Sequence, residues 1–119
     1  METRKALKEK EVKQMIRLRL DETLKCQPDL YKAFSNATRW SNAINKNFSI
    51  YLLVEITTSC LTEILEGKQI EDALDSIFTV ERLLKLIVFA IREILLSSIE
   101  VEDVPFLDEK IDRIMNGKF

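Results

Sequence analysis

Few side chains in this sequence could carry out chemistry, because the chain of 119 residues contains no histidine. Histidine is the commonest general base and metal ligand, and it titrates near neutral pH. Its absence excludes the catalytic triads and dyads that depend on an imidazole. The two cysteines, Cys26 and Cys60, are 34 positions apart, and two thiols cannot supply the four ligands of a structural zinc site. We therefore expect neither a metal nor a cofactor.

Acidic residues at helical spacing form two groups that could bind a cation or act in acid–base catalysis. Glu63 and Glu66 form one group, and Glu71, Asp72 and Asp75 form the other. Di-metal helical bundles combine such carboxylates with Glu-x-x-His motifs, and catalysis by two carboxylates needs an apolar pocket that raises one pKa. The sequence offers neither feature. We therefore interpret the acidic groups as solvated surface and the protein as non-catalytic.

An aromatic side chain beside polar ones could bind a nucleotide, and Asn36, Arg39 and Trp40 form such a group. On a helical wheel, however, Trp40 falls inside the apolar arc of its segment, which predicts a core position.

Cys60 also falls on an apolar arc, with acidic residues as its nearest charged neighbours in sequence. We expect a buried, unreactive thiol there.

Charge is distributed unevenly along the chain. Residues 1–49 carry 11 basic and 6 acidic side chains, a net charge of +5, whereas residues 50–119 carry 7 and 14, a net charge of −7. Such asymmetry indicates either a nucleic-acid-binding arm or attraction between the halves, within one chain or between subunits. The basic residues of the first helix are scattered around its wheel, so nucleic acid is the alternative interpretation. The residues that would serve it are Lys10, Lys13, Arg17, Arg39 and Lys46.

The elements that position these residues are predicted to be helical throughout. Two glycines and two prolines among 119 residues disfavour turn-rich β folds. Pro28, Asn47 and Thr79 are suited to helix starts, and Gly67 and Gly117 to helix ends. The sequence predicts one all-α domain over residues 1–119, a compact bundle of five or six helices around a central hydrophobic helix. The predicted segments are residues 3–25, 28–46, 50–66, 69–78, 80–98 and 103–115.

Apolar residues outside the inward stripes of these helices are the most informative feature. Phe89 and Leu96 lie between two charged strips of the central helix. A helix on the surface of a bundle usually needs only one apolar stripe, the one that faces the core. Four more apolar residues are similarly placed on two other helices: Leu52, Ile56, Leu7 and Leu18. Such residues either extend the core or form a surface that a second subunit or a partner helix covers. We favour the surface interpretation.

Two features of the sequence indicate the cellular compartment: the composition of the first ten residues and the length of the apolar stretches. The first ten residues are charged and lack the apolar centre of a signal peptide. The longest apolar-rich stretch, Leu83 to Leu96, has 14 residues and includes three charged ones, whereas a membrane span needs about 20 predominantly apolar residues. We expect a cytoplasmic protein with reduced thiols and no membrane segment. Its predicted function is a protein–protein interaction module, acting as a homodimer or as a subunit of a larger assembly.

Overall fold

The computed structural model describes the backbone of residues 2–98 and 101–119, and the side chains of residues 10–98 and 104–119. The described backbone contains no strand, and the predicted all-α bundle is confirmed. A 3-10 helix (Val101–Phe106) precedes the last of six α-helices. The α-helices are α1 (Glu2–Cys26), α2 (Pro28–Ala43), α3 (Phe48–Leu65), α4 (Ile70–Ile77), α5 (Val80–Ser98) and α6 (Leu107–Met115).

The helix starts follow from the residues that precede or open them. Pro28 is the first residue of α2, where its missing N–H is not needed. The Asn47 side chain accepts a hydrogen bond from the Ile50 N–H at 3.4 Å. The Thr79 hydroxyl accepts one from the Arg82 N–H at 3.2 Å at the start of α5. Both predicted capping residues therefore satisfy an N–H that the helix itself leaves unpaired.

Three helices end on a residue with left-handed backbone conformation. Gly67 (φ +105°) follows α3 and Gly117 (φ +74°) follows α6, as predicted. The predicted end of α2 at residue 46 is wrong, because Asn45 adopts φ +58° and closes the helix at Ala43. The Lys46 N–H then donates to the Ser41 carbonyl at 2.8 Å. Asparagine tolerates this conformation better than most residues, so it ends a helix here without a glycine.

The predicted start of the last helix is also wrong. It was expected at Asp103, and α6 begins instead at Leu107 after the 3-10 helix. Pro105 lies inside that 3-10 helix, and its ring disfavours the α-helical conformation of the residue before it, Val104. The segment before α6 therefore stays in the tighter conformation.

α5 is the central helix of the bundle and packs against α2, α3, α4 and α6. α1 packs across α2 and α3 and buries Val12, Ile16 and Leu20. Trp40 of α2 lies in the core, as its wheel position predicts. The buried residues of α5 occur at helical spacing and form its inward face: Leu83, Leu86, Ile87, Ala90, Ile91, Ile94 and Leu95.

Candidate interaction surfaces

The structure divides the six apolar residues predicted to lie at an interface. Phe89, Leu96 and Leu18 are exposed, with 47%, 50% and 59% of their surface accessible. Leu52 and Ile56 are buried, at 1% and 0% exposure, so their assignment to a surface is wrong. Leu7 lies outside the residues whose side chains are described. An exposed apolar surface therefore remains on α5 and α1.

The position of Leu52 and Ile56 follows from the rotation of α3. This helix has apolar residues on every side, so a wheel does not determine which side faces inward. α3 packs against α1, α2, α4 and α5, and the stripe it buries is Phe48, Leu52, Ile56 and Cys60. The partner helices therefore set the rotation of α3, and part of its apolar arc is left outside the core.

That outward part of α3 forms one wall of a groove with α1. Ile50 and Val54 are 57% and 56% exposed, and Lys13 and Arg17 lie on the opposite wall. The groove, which we call the α1–α3 groove, has a volume of about 310 Å³. Its lining consists of Lys13, Arg17, Ile50, Leu53, Val54, Thr57 and Thr58.

The electrostatic character of the α1–α3 groove is basic. Lys10, Lys13 and Arg17 are exposed at positions i, i+3 and i+7 of α1, which places them on one side of the helix. The first turn of α3 has no acidic residue, and the first acidic residue of the helix is Glu55. Both charged side chains of the groove lining, Lys13 and Arg17, are basic.

A second exposed surface lies where α5 meets α6. The Arg92 guanidinium lies over the Phe89 ring at 5.6 Å from its centre. It also donates to a carboxylate oxygen of Asp108 at 3.5 Å, so Asp108 is held near Phe89. Phe106, just before α6, is 54% exposed. We call the group of Phe89, Arg92 and Asp108 the α5–α6 face.

The residues of the nucleic-acid alternative do not converge on one site. Lys13 and Arg17 line the α1–α3 groove. Arg39, on α2, lies instead over the Phe119 ring at 5.6 Å and donates to the Asn36 side chain at 3.2 Å. Lys46 is half-buried at the end of α2.

Asn36, Arg39 and Trp40 have structural roles within the fold. Asn36 is buried and donates to the Met115 carbonyl at 2.9 Å, which ties α2 to the end of α6. Trp40 is buried as well. The two side chains that would recognise a base are thus already engaged within the fold.

Two titratable groups among the described side chains, Cys60 and Glu63, have shifted pKa values. Cys60 is buried, and this burial, together with the negative charge of Glu63, raises the pKa of its thiol. Glu63 accepts hydrogen bonds from Lys68 at 2.9 Å and from Ser76 at 3.2 Å, and the Lys68 bond is the main cause that lowers its pKa. No group of three or more cysteine, aspartate or glutamate side chains in the described residues could hold a metal ion.

α3, and not the predicted stretch Leu83 to Leu96, is the most apolar helix of the described chain. Its 18 residues have a mean hydropathy of 1.5, and 22% of them are buried. By length and composition alone, α3 is apolar enough to cross a membrane. The core helix of a soluble protein meets the same criterion.

In comparisons with known proteins, no family model, no curated protein and no solved structure matches this chain.

Proposed function

We propose that this protein is a non-catalytic, cytoplasmic helical module for protein–protein interaction, acting as a homodimer or as a subunit of a larger assembly. The observation that carries the proposal is the exposed pair Phe89 and Leu96. They are seven positions apart, so they lie two turns apart along one line of α5. Lys85 and Arg92 flank this line. An apolar centre with a charged border is the usual composition of a protein interface.

The alternative function, association with nucleic acid through the basic first half, is less well supported. A phosphate backbone is bound by several cations that act together on one surface. Lys10, Lys13 and Arg17 could provide such a surface, but Lys13 and Arg17 border exposed apolar residues of α3. Apolar side chains beside cations are more useful for binding a protein than for binding phosphate.

The experiment that tests the proposal is the double substitution Phe89→Asp with Leu96→Asp. Wild-type protein should have a mass in light scattering that rises with concentration, above that of a 13.9 kDa monomer. The double variant should be a folded, helical monomer whose mass no longer changes on dilution, because charge at an interface opposes association without removing the core. Leu65→Asp is the matched control, since Leu65 is also exposed but lies at the end of α3.

A different pair of results would contradict the proposed interface. A wild-type protein that is monomeric at every concentration, combined with loss of helical circular dichroism in the double variant, would contradict the proposal. If the double variant does not fold, Leu96→Ala replaces it, and the melting temperature of an associating protein would depend on its concentration.

A further inference from the structure

We propose that a pocket between α2, α5 and α6 binds a phosphate monoester that carries an apolar group. This inference goes beyond the proposed function, because it assigns a site for a small ligand and not a contact between proteins. The pocket has a volume of about 260 Å³. We call it the α6 pocket and define it by three basic residues, Lys110, Arg113 and Lys118, and two aromatic residues, Trp40 and Phe119.

The α6 pocket concentrates positive charge in the acidic half of the chain. Residues 50–119 contain seven basic residues and have a net charge of −7, yet three of the seven, Lys110, Arg113 and Lys118, line this pocket. A fourth cation, Arg39 of α2, lies over the Phe119 ring at 5.6 Å from its centre. Within the described side chains, none of these four cations forms an ion pair.

The end of α6 positions these cations without using them as caps. Lysine and arginine near the end of a helix often bind its last carbonyl groups. Here the N–H groups of residues 116–118 and the Asn36 side chain donate to the carbonyls of residues 112–115. The chain turns back at Gly117 (φ +74°), which brings Lys118 to the same pocket as Arg113. The basic side chains are therefore available to a ligand.

The acidic residues of α6 lie outside the lining of the pocket. Asp108, Glu109 and Asp112 are exposed, and Asp108 accepts a hydrogen bond from Arg92 of α5. Lys110 and Arg113 are three positions apart and so share one side of the helix. All the described charged side chains that line the pocket are basic, so the pocket favours an anion.

The number and type of the cations favour a phosphate over a carboxylate. A phosphate monoester carries a charge of about −1.5 to −2 at neutral pH and has three strong acceptor oxygens. It can therefore bind several cations at once, whereas a carboxylate has a single charge. The arginine guanidinium binds phosphate through two parallel N–H groups, and the lysine ammonium acts as a point charge.

The rest of the lining is apolar and determines what the phosphate is attached to. Trp40, Leu95 and Ile114 are buried and contribute apolar surface, and the exposed Phe119 ring adds more. The volume of about 260 Å³ is just below the range for pockets that enclose drug-sized ligands, about 300–1,000 Å³. A phosphate with one ring or one short alkyl group suits this size. Both a soluble ester and the headgroup of phosphatidic acid present this chemistry.

The test uses phenyl phosphate as the probe and the single tryptophan as the reporter. Trp40 is the only tryptophan of the chain and lines the pocket. Its fluorescence should change saturably as phenyl phosphate is added, with a Kd of about 1 mM or tighter. Isothermal titration calorimetry should give the same constant. Inorganic phosphate lacks the ring and should bind at least about tenfold more weakly, because it buries no apolar surface.

The variants remove charge from the pocket of the full chain. Arg113→Gln with Lys118→Gln should weaken the binding of phenyl phosphate at least about tenfold, because charge-assisted hydrogen bonds are lost. Lys25→Gln with Lys32→Gln makes the same change of charge at exposed positions outside the pocket and should leave the Kd unchanged. Circular dichroism confirms that each variant is folded. If the first variant does not fold, Lys110→Gln replaces it and should also weaken binding.

Vesicles distinguish the two sources of the phosphate ester. Cosedimentation with phosphatidylcholine vesicles that contain phosphatidic acid, reversed by phenyl phosphate, would assign the pocket to a lipid headgroup. Binding of phenyl phosphate without cosedimentation would assign it to a soluble ester.

Three results would overturn the assignment. The first is the absence of a saturable signal up to about 10 mM phenyl phosphate, which would exclude even weak binding. The second is an equal Kd in Arg113→Gln with Lys118→Gln and in the control. The third is inorganic phosphate that binds as tightly as phenyl phosphate, which would contradict the apolar group. Each leaves the test of Phe89 and Leu96 unaffected, so the proposed function stands or fails separately.

Discussion

Among single residues, the two thiols should differ strongly in reactivity. Cys26 is exposed, whereas Cys60 is buried and its pKa is raised by that burial. Alkylating reagents react with the thiolate, so the folded protein without reductant should gain one adduct, at Cys26. In denaturant it should gain two. Intact mass with peptide mapping measures both, and Cys26→Ser should remove the adduct of the folded state. Adducts that appear in denaturant only after reduction would indicate a disulfide and weaken the cytoplasmic proposal.

The two glycines offer a matched pair of substitutions. Both adopt positive φ, so alanine at either position costs about 1 kcal/mol of backbone strain. A Cβ on Gly67 would meet no heavy atom within 4 Å, but one on Gly117 would lie 3.1 Å from the Asn36 amide oxygen. Gly117→Ala should therefore lower the free energy of unfolding more than Gly67→Ala does. Urea denaturation compares the two, and equal losses would show that Asn36 moves aside without cost.

At the scale of an element, α3 should respond differently to substitution on its two faces. Ile56→Ala removes a fully buried side chain, and the cavity should lower the free energy of unfolding by about 2–5 kcal/mol. Val54→Ala, two positions away on the exposed face, should change it by less than about 0.5 kcal/mol. Urea denaturation should be measured at a protein concentration too low for association. The reverse order would mean that α3 is rotated relative to the structure.

A comparison of α3 with α5 shows why the sequence predicts some helices better than others. α5 combines an apolar arc with charged strips, so its limits at residues 80 and 98 and the exposure of Phe89 and Leu96 are predicted correctly. α3 lacks such contrast, and the stripe containing Leu52 and Ile56 is fixed by four neighbouring helices. The α1–α3 groove is missed for that reason. Its one signal in the sequence is the absence of acidic residues between Asp29 and Glu55.

At the scale of the whole molecule, the uneven charge has a structural counterpart. The basic half contributes α1 and α2, and the acidic half contributes most of α3 and all of α4, α5 and α6. Within the described side chains, the ion pair of Arg19 with Asp75 joins the halves directly. Such exposed pairs contribute little to stability. The charge asymmetry therefore adds little to the stability of the single molecule through direct ion pairs.

The same charge distribution predicts weak binding to nucleic acid. Three cations of α1, Lys10, Lys13 and Arg17, share one side of the helix, while the net charge of −7 in residues 50–119 repels phosphate. Duplex DNA should bind no more tightly than the non-specific range of about 10⁻⁴–10⁻⁶ M at physiological salt. With three phosphate contacts, the slope of log K against log salt should be no steeper than about −3. Fluorescence anisotropy measures both quantities. Sub-micromolar affinity that is lost on Lys10→Glu with Arg17→Glu, but kept in the control Lys25→Glu with Lys32→Glu, would instead make nucleic acid the partner of the basic surface.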